Sequence, residues 1–428
     1  MPRRLRTLGV WIDGAHVADV EERRWNKLML RYTEQALERF PRNSPLVSCS
    51  LPLDDRPRDA TAFLAGLLPE GHALQMLAMR ASVTTNNVFD LLERYGRDIA
   101  GALVFADQPP DPDRYDLDAY GPDGLEQAVD ELGTHPLGVH DDSELSLAGL
   151  QEKLLLVRTT DGAWARPTRG RPSTHILKVD DRLRPGLVAA QAEGLKLARA
   201  LGLTERDHEL IKIGPVDCLV VERFDRRTDD TGQVRRVHQE DLCQALGVSH
   251  LGPGGRGKYE FGGGPGFKDA ARLLETYAAD RSGQLDRLVA AATFTVAIGN
   301  ADAHAKNLAL LHPDLTSVEL APLYDTVPTA LWPKLRKTLS MHIAGKSAMT
   351  QITIDDLAEE AREWRHSARR TREVAADTLD RLEQSVADGV IDPDGPLGSY
   401  VSARCAEMRG RDDTHHTDVS GAATPSPP

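Results

Sequence analysis

Cysteine is scarce in this chain: Cys49, Cys218, Cys243 and Cys405 are spread over 428 residues with no CxxC pair. That spacing argues against a disulfide framework and against a zinc site, and points to a reducing cytoplasm. Long apolar runs are missing too. None approaches the roughly 20 residues that span a bilayer, so no membrane association is expected. The start, MPRRLRTLGVWIDG, carries basic residues without the apolar stretch of a secretory signal. A basic excess is also absent, with 52 Lys and Arg against 65 Asp and Glu, a formal charge of -13. Such a chain is a poor nucleic-acid binder by itself, because phosphate recognition needs a basic surface. The RRLRT start and Arg369, Arg370 and Arg372 are local basic runs that solvated faces also explain.

What is present is a globular composition, 40% hydrophobic and 27% charged, long enough for two or three domains. LGVWIDGAHVADV alternates around Asp13-Gly14, a pair suited to a two-residue hairpin. Helical spacing follows, with Asn86 or Asn87 as a cap before VFDLLERY and Gly96 as its stop. Residues 1–106 thus read as a small α+β unit. Residues 107–140 open on DQPPDPDRYDLDAYGPDG, rich in Asp, Pro and Gly, and read as a linker or exposed loop. Residues 141–226 hold strand patterns, LLLVR, THILKVD and CLVVERF, around the amphipathic helix LVAAQAEGLKLARALGL. Helices dominate 227–408, including HQEDLCQALGV. The polar, Pro-rich end, 409–428, reads as disordered. Strands early and helices late suggest a two-lobed α+β enzyme.

The chemistry concentrates in IGNADAHAKNLALLHPDLTSVELAPLYD, Ile298 to Asp325. Asp302 and Asn307 have the D-x4-N spacing of a kinase catalytic loop, where the aspartate takes the substrate hydroxyl proton and the asparagine holds Mg²⁺. Asp325 comes 18 residues after Asn307, behind two short strands, and suits the same metal. Hard Mg²⁺ takes oxygen ligands and leaves room for phosphates. Lys306 reads either as neutralising a transferring phosphoryl group or as a solvated lysine. His304 reads either as a metal ligand beside Asp302 or as a loop histidine fixing the backbone. Lys178, flanked by Ile176, Leu177 and Val179, is costly to bury unless it meets an anion such as a nucleotide phosphate. Glu193, on the helix downstream, is the expected partner for it. VVERFDR lies at the lobe crossover and reads either as a hinge, where Glu222 and Phe224 suit adenine and Asp225 suits the ribose, or as a surface turn rich in ion pairs.

These motifs, SLAGLQEK, THILKVD, VERFDR, HQEDLCQALGV with KYE, IGNADAHAKN and LAPLYD, in this order resemble the HipA family. Members are serine/threonine kinases that act as toxins of bacterial type II toxin–antitoxin systems. The resemblance runs from the VWIDG hairpin to about residue 405. It implies a two-lobed fold related to protein and phosphoinositide kinases, with an N-terminal α+β extension and a helical C-terminal lobe. It also implies ATP and Mg²⁺ as cofactors. Ala148, Gly149, Gln151 and Lys153 fall in the phosphate-covering loop, and Ser146 matches the serine that such kinases autophosphorylate. The expected partners are a HipB-like helix-turn-helix antitoxin, operator DNA mainly through that antitoxin, and a protein substrate such as an aminoacyl-tRNA synthetase. Translation arrest and persistence would follow. Glu144, Leu150 and Leu154 depart from the family's usual loop residues. A nucleotide-binding co-repressor and a small-molecule kinase are the competing readings.

Overall fold

The computed structural model describes residues 6–140, 143–149, 151–180, 184–229 and 233–410. Leu150 and the tail 411–428, on which two expectations above fall, lie outside the described residues. In the N-terminal unit the strands Thr7–Ile12 and Ala15–Glu22 pair antiparallel around Asp13 and Gly14, whose φ angles are 47° and 76°. Two left-handed residues give a hairpin turn whose twist matches its strands, so the Asp-Gly pair sets the register. Leu8, Val10 and Ile12 alternate onto the inner face and are buried there. The strands Leu28–Tyr32, Arg58–Asp59 and Val104–Phe105 complete a five-stranded sheet. Helix Val88–Tyr95 begins where the Asn87 side chain accepts the Asp90 N–H, and Gly96 caps its end.

A second sheet has six antiparallel strands in the order His208–Ile213, Val216–Glu222, His175–Val179, Lys153–Arg158, Trp164–Thr168 and Asp116–Ala119. Its last strand corrects the reading of 107–140 as linker. The aspartates sit on an edge, where charge does not obstruct pairing, and Asp118 meets Arg166 at 3.0 Å. Helix Gly124–Asp130 then brings Val129, with Leu132, into a core containing Leu154, Leu156 and Leu177. Helix Leu187–Ala200 packs Val188, Ala192 and Leu195 on Leu219.

The remaining lobe is helical. Helices Phe267–Tyr277, Arg281–Ala297, Ile354–Glu363, Ala368–Ala387 and Pro396–Met408 share one large core around Phe294, Trp364 and Leu379. HQEDLCQALGV is not one helix. His238–Asp241 is a strand, and the helical turn Leu242–Ala245 starts only after it, because Asp241 caps that turn by accepting the Gln244 N–H. This strand pairs with Ala309–His312, which pairs with Glu319–Leu320. The strands Ala309–His312 and Glu319–Leu320 lie between Asn307 and Asp325 in the chain.

Candidate active site

A cleft of about 1320 Å³ lies between the six-stranded sheet and the helical lobe. Asp302, Asn307 and Asp325 line it from the helical side; Lys153 and Lys178 line it from the sheet. The floor is fixed by amides. Asn300 donates from Nδ2 to the Asp325 carbonyl at 2.8 Å and accepts the Asp302 N–H on Oδ1 at 3.2 Å. Asn307 donates from Nδ2 to the Asp302 carbonyl at 3.1 Å, which leaves its amide oxygen for another partner. The Asp302 carboxylate stays open to solvent yet is walled by protein. That partial burial, with the Asp325 charge behind it, raises its pKa to about 6. A base tuned close to neutrality suits proton removal from a hydroxyl.

Across the cleft, Lys178 Nζ lies 3.0 Å from Asp325 Oδ1. The same oxygen accepts Gln191 Nε2 at 3.0 Å, and the Asp325 pKa is lowered, burial opposing and the Lys178 charge overcoming it. Lys153 stands opposite Lys178 in the ladder and donates to the Ala148 carbonyl at 2.6 Å. Burial, then the Lys178 charge, pushes its pKa down to about 7. Gly149 has a φ of 119°, and a Cβ there would stand 2.5 Å from Lys153 Nζ. Only glycine lets the loop backbone close over that ammonium. Gln151 donates to the Val179 carbonyl at 3.2 Å and fixes the loop's other end. The donor sets fit the expected groups. An amide oxygen and an ionised carboxylate suit Mg²⁺, and two lysines under a glycine loop suit phosphates.

Several expected roles move. Glu193 does not pair with Lys178. Two residues on a helix turn about 200°, so Glu193 points away from Gln191, toward Lys196 and Asp392, and burial raises its pKa. Gln191 takes its place, 3.4 Å from Lys178 Nζ. Asp225 is not available to a ribose. Its oxygens accept Arg223 Nε and Nη2 at 2.9 and 2.8 Å and the Gly101 N–H at 2.7 Å, in a fully buried cluster with Asp98 and Arg226. Lys306 is neither solvated nor aimed at a phosphoryl group. Its Nζ lies 2.7 Å from Asp241 Oδ2 and 3.2 Å from the Gly66 carbonyl, and the Asp241 charge holds its pKa up against burial. His304 is buried edge-on to Tyr259 at 5.2 Å, and burial lowers its pKa to about 3. It is a neutral loop residue. Glu222, at the end of its strand, lies 3.4 Å from Arg206, and Phe224 packs on Tyr324 at 5.3 Å. Ser146 is buried outside the cleft lining, its N–H on the Asp98 carbonyl at 2.9 Å.

Five contributors were given no role from the sequence, although Lys258 and Tyr259 belong to the KYE motif. Gln191 left a signal, a polar residue on the apolar stripe of its helix, as did Asn300, two residues before Asp302. Tyr259 donates to Asp302 Oδ1 at 3.4 Å, and Lys258 reaches Glu70 at 2.9 Å. No spacing pointed to that last pair, because Glu70 belongs to the N-terminal unit.

Residues 145–388 match the HipA-like C-terminal domain, and residues 8–106 the HipA N-terminal domain. The chain belongs to the HipA family. It is 37% identical to Y4mE of Sinorhizobium fredii over 82% of this chain and 84% of that protein. It is 31% identical to the serine/threonine-protein kinase toxin HipA of Shewanella oneidensis, over 69% and 70% of the two chains. The solved complex of Shewanella oneidensis HipA, HipB and operator DNA contains a chain that superposes with a TM-score of 0.78 at 25% identity. That match covers 95% of this chain and 96% of the other. The six-stranded sheet and the helical region are therefore the two lobes of a kinase-like fold, with the five-stranded unit as the HipA N-terminal extension. Among the described residues no helix is long and apolar enough to cross a membrane.

Proposed function

We propose that this HipA-family chain transfers the terminal phosphoryl group of ATP to a serine or threonine of a protein, with Mg²⁺ as cofactor, in the cytoplasm. The observation that carries this reading is the convergence of Asp302, Asn307, Asp325 and Lys178 on one cleft. Lys178 and Lys153 hold phosphate oxygens, and the Ala148–Lys153 loop covers them. Asn307 and Asp325 hold the metal, which when bound neutralises charge on the transferring group. The crossover at Glu222 and Phe224 offers backbone groups and a ring to adenine. Asp302 orients the attacking hydroxyl and takes its proton. An aminoacyl-tRNA synthetase is the proposed target class, Ser146 the autophosphorylation site and off-switch, and a HipB-like antitoxin the partner through which operator DNA is met.

A second reading, a nucleotide-binding co-repressor, draws on the HipB and operator DNA present with the Shewanella oneidensis chain. One experiment separates the two. Labelled ATP and Mg²⁺ in a cell lysate should label a discrete protein with wild type and not with Asp302→Asn. Nucleotide binding without transfer would favour the co-repressor, and label on a metabolite alone a small-molecule kinase.

A further inference from the structure

The N-terminal unit docks on the small sheet of the helical lobe through residues 47–50. The Val47 carbonyl lies 2.8 Å from His238 Nε2, and the Ser48 and Ser50 hydroxyls donate to the Gln244 carbonyl at 3.3 and 2.7 Å. Cys49 sits at the centre of this contact, its N–H on Glu240 Oε1 at 2.8 Å. Glu240 lies two residues along its strand from His238, and His238 is opposite His312 in the ladder. All three side chains therefore share one face of the sheet. His312 Nε2 is 3.1 Å from Glu240 Oε1.

Ligand atoms of Cys49, Glu240 and His312 all lie within 4.8 Å of one another, in a pocket of buried residues. The Glu240 and His312 side chains are fully buried, and Cys49 is 6% exposed. Two polar atoms are left over: Glu240 Oε2 and His312 Nδ1 have no hydrogen-bond partner among the described residues. A carboxylate oxygen kept dry without a donor is expensive, and contacts to Oε1 alone do not relieve it.

We propose that Cys49, Glu240 and His312 form a structural site for one divalent transition-metal ion, Zn²⁺ in the first instance, that clamps the N-terminal unit to the helical lobe. A thiolate, a carboxylate and an imidazole are a donor set that zinc accepts, with a fourth position left for water. The charges close: one thiolate and one carboxylate cancel the two positive charges of the ion, so a neutral site occupies the dry interior. Binding forms the metal–sulfur bond and releases the Cys49 thiol proton to solvent. The cysteine count argued against a zinc site because no ligands are neighbours in sequence. Here 191 residues separate Cys49 from Glu240, and the fold brings them together.

The test uses the full chain, stripped with chelator and titrated with Zn²⁺ or with Co²⁺ as a visible surrogate. One Co²⁺ per chain should bind with tetrahedral d–d bands and a thiolate charge-transfer band, and Zn²⁺ should displace it and raise the unfolding temperature. Both bands should vanish in Cys49→Ala and persist in Cys243→Ala and in Asp325→Asn, which reports on the catalytic cleft. If Cys49→Ala folds poorly, His312→Gln makes the same comparison, losing the tetrahedral bands. A wild-type chain that shows no charge-transfer band with Co²⁺, or a band that survives Cys49→Ala, overturns the proposal.

Discussion

Lys178 Nζ spans the cleft to Asp325 Oδ1 at 3.0 Å and so joins the six-stranded sheet to the helical lobe. This pair holds a cation and an anion face to face across the cleft. Lys178→Met should lower phosphoryl transfer by about 10²–10³-fold, the range for losing one preorganised charged donor. Asp325→Asn should abolish the Mg²⁺ dependence of ATP binding while leaving the protein folded. A phosphoryl-transfer assay with labelled ATP reads the first, and calorimetric titration with ATP, with and without Mg²⁺, reads the second. Equal affinities for wild type and Asp325→Asn at all Mg²⁺ concentrations would remove Asp325 from the metal site.

Asp302 makes activity pH-dependent on the acid side. Its pKa is raised to about 6, chiefly by burial and then by the Asp325 charge, so below that pH it is protonated and accepts nothing. Transfer should rise tenfold per pH unit below 6 and level off above it. Tyr259 donates a hydrogen bond that favours the ionised form. Tyr259→Phe should therefore move the acid limb to higher pH with little change in the plateau. A limb that stays in place would show that Tyr259 does not tune this base.

Helix Leu187–Ala200 offers a check on how tightly the floor is built. A Cβ on Gly194 would approach the Thr326 carbonyl to 2.1 Å. Glycine in a helix interior costs roughly 1 kcal/mol against alanine, and here it permits the close approach that seats Asp325. Gly194→Ala should push the Asp325 segment away and weaken ATP binding with Mg²⁺, even though it favours the helix. Undiminished affinity in a titration would show that the helix can shift without cost.

The parts legible in the sequence are those set by short-range rules. The Asp-Gly hairpin, the Asn87 cap and the Asp302–Asn307 spacing are local, and the structure has all three. Partner choice is not local. Glu193 was expected to meet Lys178 on charge alone, but the helix turns Gln191 toward it instead. Asp225 had the right distance from the crossover for a ribose, yet two nearby arginines and the N-terminal unit bury it. Lys306 sits one residue before Asn307, and a 3-10 turn at Ala305–Asn307 turns it down to Asp241. The Asp-rich segment showed the converse. Its composition disfavours a core strand and does not forbid an edge one.

Lys153 predicts proton uptake on nucleotide binding. Its pKa is lowered to about 7 by burial and by Lys178, so at pH 8 most free protein holds it neutral. Phosphate oxygens favour the charged form and raise that pKa. Binding at pH 8 should then take up close to one proton, and at pH 6, where Lys153 is already charged, almost none. Calorimetry in buffers of different ionisation enthalpy measures this number. Lys153→Met should abolish the uptake as well as weaken binding. An uptake that persists in Lys153→Met would assign the proton to another group.

The cluster that removed Asp225 from the site also ties the N-terminal unit to the segment just after the strand Val216–Glu222. Arg226 Nη2 lies 2.9 Å from Asp98 Oδ1, and Arg226 Nη1 donates to the Gly101 carbonyl at 2.9 Å. Asp98, Arg223, Asp225 and Arg226 are all buried. Removing one partner leaves the others charged in a dry interior, which costs about 3–5 kcal/mol, whereas the intact set need contribute little by itself. Arg226→Met should thus lower the urea midpoint sharply. Replacing Asp98 as well, as Asp98→Asn with Arg226→Met, should recover part of the loss, because the pair disappears together. The two effects adding without recovery would mean that Asp98 and Arg226 act independently, and that hydrogen bonds to Ile99 and Gly101 hold the arginine instead.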